Sequence, residues 1–396
     1  MAAVAAVSGA SAQVSIYGTV DAALTQYSSE GTSKTGLGNS QLGSSKLGFM
    51  GTEDMGGGIN AIFKLEGGLA NDTGNGKASN TTNQAGGTGN GGAGAFTSVG
   101  GTQGLVFQRY AYVGLNGSFG EVRLGRDYTN TFLHAVGSVE PFGTNGPADS
   151  SVMTLNLAAR NGLATTSGAS NMIGYASPSM GGAVVRLQAF FGENASSAAN
   201  ASDGDGYSAQ VGYATGPVFL SMGQQQTKGT AKAAVNPVLN TTTGAGLAAS
   251  TGIPASTGNY TQSALSASYD FGMAKAVFTN VREELVGTAS TATNTSNLIG
   301  VIVPVGAINY KASYVASAQN TGVAGQPDNK GTLIGLGVDY AMSKRTKLYS
   351  TYSSVTNEAG KFYSAGLAGG AAGTSLAATA ATPSSTGFAV GVFHAF

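Results

Sequence analysis

Hydropathy in this chain alternates with a period of two, in segments of about ten residues that recur from Val14 to the last residue. Val14, Ile16, Val20 and Leu24 alternate with Ser15, Tyr17, Thr19 and Asp21. Ala61, Phe63 and Leu65 alternate with Asn60, Lys64 and Glu66, and Leu336, Val338 and Tyr340 alternate with Gly335, Gly337 and Asp339. Successive side chains of a strand point to opposite faces, so each segment reads as a strand with one apolar face. The other face is polar or small, which suits a wet interior rather than a packed core. No run reaches the roughly 18 apolar residues of a membrane helix, which excludes a helical membrane protein.

The connections alternate as well. One set is short and built from turn residues: Gly56-Gly57-Gly58, Asn116 to Gly120, Pro178 to Gly182, Gly216-Pro217, Phe271-Gly272 and Ser343 to Thr346. The other set is long and rich in Gly, Ala, Asn, Ser and Thr: 71–104, 129–169, 195–205, 228–259, 284–296, 319–331 and 357–385. Short turns at one end and long loops at the other describe a transmembrane antiparallel β-barrel. About sixteen strands are expected, the second over 42–55 and the twelfth over 297–305, with a single barrel over 13–396. A sheet in lipid must close to satisfy its edge groups, and an even strand count with both termini on the short-turn side allows this. Strand twelve is apolar on both faces, which suits either a buried subunit contact or an overestimated strand. A Gly-rich solenoid would need a fixed internal repeat, and none is found.

Composition narrows the function. The 19 basic and 19 acidic residues balance, and charged residues make up only 10% of the chain, so no basic surface for nucleic acid is available. There is no Cys and only two His, which removes disulfides, thiolate metal sites and His-rich metal sites. No cofactor is expected. Asp203-Gly204-Asp205-Gly206 could contribute carboxylates to Ca²⁺, but the rest of an EF-hand loop is missing. Residues 1–12 read as the remainder of a secretory signal peptide ending in the Ala10-Ser11-Ala12 cleavage pattern.

Several segments together resemble the Gram-negative general porins of the β-proteobacterial and neisserial branch. They are Val14-Ser-Ile-Tyr-Gly18 with Val20-Asp21-Ala22, Ser45 to Phe49 followed by Gly51 to Gly58, Ala61 to Glu66, Arg109 to Leu115 followed by Phe119-Gly120, Leu124 to Tyr128, and Gly391 to Phe396. Order and spacing are kept over strands 1–5 and 14–16, and the middle of the chain matches by pattern only. The resemblance implies a homotrimer of water-filled outer-membrane barrels, each narrowed by an inward-folded third long loop, here about 129–169. It implies passage of ions and small hydrophilic solutes, contact with outer-membrane lipid and lipopolysaccharide, and an assembly signal in the final strand. Phe388, Val390, Val392 and Phe396 share one face of that strand. They are the expected contact with the barrel-assembly machinery.

A narrowed pore with opposite charges on facing walls creates a transverse field that favours ions and polar solutes. The expected basic wall is Lys46, Arg109, Arg126, Lys64 and Arg123, and Arg186 is a weaker candidate. By parity Arg126 shares the phase of Leu124, so an inward Arg126 needs a bulge or a strand end. Arg109 raises the same question. Glu140, in Val139-Glu140-Pro141-Phe142-Gly143, and then Asp149 are the expected acidic side. Met50 and Phe393 stand where relatives often carry basic residues, so the expected selectivity is weak and at most slightly anionic. The alternatives are a substrate-selective channel, or an adhesin or receptor barrel that acts through its long loops. No constellation for an enzyme is found.

Overall fold

Each alternating segment forms a strand that pairs antiparallel with its chain neighbours. The last strand returns to pair with the first, Thr19 opposite Ala395 and Ser29 opposite Ser385. In the computed structural model the described residues are 13–29, 32–77, 83, 106–157, 164–198, 201–229, 258–286, 291–320, 322, 328–359, 363–365 and 384–396. The expected signal segment 1–12, and most of the long-loop residues at 78–105, 230–257 and 366–383, lie outside them.

The strands are β1 (Gln13–Ser29), β2 in two halves (Thr32–Asn39 and Lys46–Asp54), β3 (Asn60–Ala70), β4 (Tyr110–Gly117), β5 (Gly120–Tyr128), β6 (Gly168–Ala176), β7 (Ala183–Phe190) and β8 (Gly206–Thr215). They continue as β9 (Val218–Thr227), β10 (Tyr260–Asp270), β11 (Lys275–Val286), β12 (Thr291–Val305), β13 (Ile308–Asn320), β14 (Asn329–Ala341), β15 (Thr346–Ala359) and β16 (Ser384–Ala395). The sheet contains 18 segments, but two are not separate spans. Both halves of β2 pair with β1, and Asn75–Gly76 is a short hairpin folded onto the end of β3. Sixteen spans close the barrel.

The apolar phase faces outward. Val14, Ile16 and Leu24 are 55%, 65% and 56% exposed, while Asp21 in the alternate phase is 0% exposed. Phe388, Val390, Val392 and Phe396 belong to the outward band. The terminal Phe396 exchanges backbone hydrogen bonds with Gly18, whose N–H donates to its carbonyl at 3.2 Å, and this secures the seam.

Two expected boundaries change. Thr32–Asn39 is a strand that the expected second strand, 42–55, leaves out; apart from Leu37 its residues are Gly or polar, so the apolar alternation is missing. The expected loop 284–296 is mostly wall: β11 and β12 pair up to Val286 opposite Thr291. Outward residues there are Thr293, Thr295 and Asn297, so the apolar alternation that marks a lipid-facing strand is lost while the ladder continues. Hydrogen bonding sets strand length and lipid sets hydropathy, and the two part above the membrane edge.

Strand β12 also explains its own second apolar face. Leu298, Val315, Leu333 and Val355 lie opposite one another across β12–β15, all inward and 0% exposed. They form an inner apolar row covered by Val139, Val152 and Met153 from the connection between β5 and β6. The inward apolar face is a dock for that loop, not a subunit contact.

Candidate functional site

The connection from Thr129 to Ser167 folds into the barrel. Its described part contains a π-helical turn (Phe132–Val136), a short α-helix (Ser151–Thr154) and a 3-10 turn (Ala164–Thr166). Polar inward side chains of the wall hold its backbone. Gln188 accepts from the Asn130 N–H at 2.9 Å, Ser221 donates to the His134 carbonyl at 2.5 Å, and Ser266 donates to the Ala135 carbonyl. Asn294 donates to the Met153 carbonyl at 2.8 Å, and Ser353 donates to the Pro147 carbonyl at 2.6 Å. Buried Glu283 on β11 accepts from the Leu157 N–H at 3.0 Å, from Asn294 at 2.8 Å and from the Tyr260 hydroxyl at 3.0 Å. The loop thus runs along the inside of β7–β16, meets Tyr27 of β1 and the break in β2 near Ser44, and leaves the wall around Glu66 uncovered.

The loop approaches the wall where the wall has no side chain. A Cβ on Gly300 would stand 2.8 Å from Pro141, one on Gly335 would stand 2.8 Å from Ala148 and 3.0 Å from Phe142, and one on Gly387 would stand 2.8 Å from Pro147. Part of the Gly excess is therefore room for the loop.

The uncovered wall carries most of the expected basic residues. Glu66 on β3 is 1% exposed and sits at their centre. Arg109 is paired with it through Nε. Lys46 Nζ is 3.7 Å away, Lys64 Nζ is 4.0 Å away, and the Tyr17 hydroxyl donates to it at 2.7 Å. Lys64 also lies 3.7 Å over the Tyr110 ring. Arg109 precedes β4, so strand parity does not govern it. On β5, Arg123 pairs with Asp127 at 2.6 Å and with Glu121, and it lies 4.8 Å over the Tyr112 ring. Cation–π contacts hold the long cations against the wall without cancelling their charge.

Arg126 behaves differently. The pairing of β5 with β6 shifts register between Gly125 and Asp127, and Gly125 takes φ +135°, a conformation that favours glycine. This is the bulge that the phase of Arg126 required. Its guanidinium is held by the Gln108 carbonyl at 2.5 Å and by the Ser170 hydroxyl at 2.6 Å. It fastens the start of β4 to β6.

The expected acidic side is folded away. Glu140 is 8% exposed and Asp149 0% exposed. Glu140 Oε2 accepts from the Phe142 and Thr144 N–H groups at 2.7 and 3.0 Å, and Asp149 Oδ1 accepts from the Ser151 N–H at 2.7 Å. Both carboxylates cap turns of the loop, and among the described residues one oxygen of each has no hydrogen-bond partner. Burial raises the Glu140 carboxyl above its usual range, and it pushes Asp149 up to about 7, with the nearby Glu140 charge adding to the rise. Neither is a well-exposed negative charge on the lumen side of the loop.

Some lumen groups escaped the sequence reading. Lys311 on β13 is 2.6 Å from Asp339 on β14, and Lys347 on β15 is 3.6 Å from it. Parity alone places them inward. Asp21, buried on β1, accepts from the Leu42 and Gly43 N–H groups at 2.6 and 2.8 Å and from the Tyr349 hydroxyl. It organises the break in β2, which no local signal announces. Asp205 accepts from the Gly192 N–H at 2.9 Å and serves loop geometry.

Comparison with known proteins agrees with this arrangement. The Gram-negative porin family matches residues 1–360. The chain is 31% identical to outer membrane porin protein 32 of Delftia acidovorans, over 100% of this chain and 98% of that one. An outer membrane porin protein of Bordetella pertussis is 32% identical over 46% of this chain and 38% of its own length. Among solved structures, the anion-selective porin from Comamonas acidovorans superposes with a TM-score of 0.76 at 27% identity, covering 98% of this chain and 100% of that one. OmpT of Vibrio cholerae, at 16% identity, shares the fold with a TM-score of 0.61 over 100% of both chains. A closed sixteen-stranded barrel, an apolar outer band and a wet, loop-narrowed lumen agree with these matches, and the chain belongs to the Gram-negative porin family as an outer-membrane diffusion channel.

Proposed function

We propose that this porin is a weakly anion-favouring channel whose selectivity is set by the β1–β5 wall. The observation that carries the reading is a charge imbalance. In the linked cluster Lys46, Lys64, Arg109 and Arg123 meet Glu66, Glu121 and Asp127, four cations against three carboxylates. Buried Asp21 of β1 is taken up by the Leu42 and Gly43 N–H groups and the Tyr349 hydroxyl. Arg186 across the loop adds a cation without an acidic partner among the described residues. The loop acids Glu140 and Asp149 are buried and oppose this excess little. The anion selectivity named for the structural neighbour supports the same sign. A low-dielectric wall with a small positive surplus concentrates anions while still passing cations.

Arg126 acts as a brace in this proposal and not as a pore-lining charge. The outward Phe388, Val390, Val392 and Phe396 act as the assembly signal read by the barrel-assembly machinery. The homotrimer rests on the family and on a trimer form described for Vibrio OmpT. Reversal potential in a tenfold salt gradient across a planar bilayer tests the selectivity. A modest potential of anionic sign is expected, and a clear cationic sign overturns it. Three-step closure of single insertions tests the trimer.

A further inference from the structure

Above the apolar band, the outward face of β11–β14 carries two cations at one height. Arg282 lies opposite Thr295, Thr295 opposite Ala318, and Ala318 opposite Lys330. The four residues form a single row across four strands. Three strand spacings of about 4.8 Å put the Arg282 and Lys330 backbones roughly 14 Å apart along it. The Arg282 side chain is 59% exposed and Lys330 is exposed, while their chain neighbours in the opposite phase, Glu283 and Asn329, are buried on the lumen side.

The strip between them is low and polar. Thr295 and Ala318 occupy the row itself, Thr293 stands one row above and Asn297 one row below. Small side chains with hydroxyls and an amide let a sugar ring lie flat against the sheet. Two rows below the cations, Phe278, Ile299, Tyr314 and Ile334 lie opposite one another, and the last three are exposed. That row is the upper rim of the lipid-facing band, and four residues of strand place the cations roughly 13 Å along the chain from it, at headgroup height. Acids stand nearby. Glu284 is 3.5 Å from Arg282, an exposed pair that holds weakly, Glu358 is exposed on β15, and Asp328 accepts from the Asn320 amide at 2.9 Å. None of them lies in the strip on β12 and β13 between the cations, and among the described residues Lys330 has no ion pair.

We propose that Arg282, Lys330 and the Thr295–Ala318 strip form a docking site on the outside of the barrel for the sugar headgroup of lipopolysaccharide, which carries a phosphate at each end. The guanidinium takes one phosphate through paired hydrogen bonds and the ammonium takes the other as a point charge. The acyl chains run down over Ile299, Tyr314 and Ile334. The site goes beyond the channel reading, and it rests only on the long loops facing away from the cell.

Two features separate this occupant from a glycerophospholipid. A glycerophospholipid with one phosphate meets one cation and leaves the other idle, and it has no ring to cover the hydroxyl strip. The β14–β15 turn supplies a control of equal charge. Lys344 and Arg345 are exposed there at the short-turn end of the barrel, on the far side of the apolar band from Arg282 and Lys330.

The experiment is native mass spectrometry of the refolded porin in detergent, incubated with bisphosphorylated lipid A, monophosphorylated lipid A or phosphatidylglycerol. Wild type should retain the bisphosphorylated lipid about tenfold better than either of the others, the loss expected for one missing charge-assisted contact. The double variant Arg282→Gln, Lys330→Gln should lose that preference, and Lys344→Gln with Arg345→Gln should keep it. Ala318→Phe raises the floor of the strip without changing charge and should also weaken retention, which keeps the test intact if the double variant fails to give the heat-modifiable folded band. Equal retention of the three lipids by wild type, an undiminished preference in either folded site variant, or an equal loss in the turn variant overturns the site. Reversal potential in sodium chloride judges the selectivity reading separately.

Discussion

At the scale of single residues, Glu66 and Asp149 show how burial turns acids into structural parts. Glu66 gathers Arg109, Lys46, Lys64 and Tyr17 around one carboxylate. Glu66→Gln leaves that cluster with no acid, so the lumen becomes more positive and the reversal potential moves in the anionic direction. Breaking a buried pair by removing one partner costs roughly 3–5 kcal/mol. The variant should therefore also unfold at lower denaturant, and an unchanged reversal potential would show that the wall does not set selectivity. Asp149 works by pH. Its carboxyl is raised to about 7 by burial, so the packed loop prefers the protonated form. The contribution to loop packing is full below about pH 4, declines as pH rises, and is lost as pH passes through 7. Open-channel current noise should grow between pH 6 and 8.5 in wild type. Asp149→Asn, which keeps an acceptor for the Ser151 N–H, should stay quiet across that range.

At the scale of elements, the loop is fastened by wall glycines, by an apolar row and by hydrogen bonds from polar wall side chains to its backbone. Gly335 leaves space for Phe142 and Ala148, and the packing has no slack for a larger side chain. Gly335→Val should push the loop from the β14 wall, at a cost of about 1–3 kcal/mol typical of overpacking. Single-channel conductance reads the result, and a displaced loop changes it by tens of per cent. Conductance identical to wild type would mean that the loop does not define the narrow point. The final strand makes a separate prediction. Phe396 closes the seam with Gly18 and extends the outward band. Deleting Phe396 should lower the yield of heat-modifiable barrel in cells more than it lowers refolding in detergent, because only the former needs the assembly machinery.

At the scale of the whole molecule, selectivity comes from a small charge surplus spread over one wall, so it should be screened. The Debye length falls from about 10 Å at 0.1 M to about 3 Å at 1 M salt. Anion preference should decline several-fold over that range in reversal-potential measurements. A preference independent of salt would point to a single tight site instead of a wall. Closure has a mechanical consequence too. The β1–β16 ladder is one continuous antiparallel pairing, and unfolding by heat should be cooperative across all sixteen strands. A migration shift on gels before and after boiling reports it.

What the sequence determined by itself was the wall. Period-two alternation reports which side of a strand meets lipid, and that signal is local. It was enough for the barrel, the strand number, the outward band and the inward phase of Lys46, Lys64 and Arg123. It weakened wherever lipid stopped being the neighbour, as at Thr32–Asn39 and Thr291–Asn297, where hydrogen bonding continues after the hydropathy pattern ends. The tertiary structure decided what faces what across the lumen. Leu298, Val315, Leu333 and Val355 look like unexplained apolar residues until Met153 covers them. Glu140 and Asp149 read as a charged face until the turns they cap bury them. Arg126 needed a bulge that only the pairing of β5 with β6 reveals. These are contacts between residues far apart in the chain, and a periodicity that reports only the nearest solvent cannot encode them.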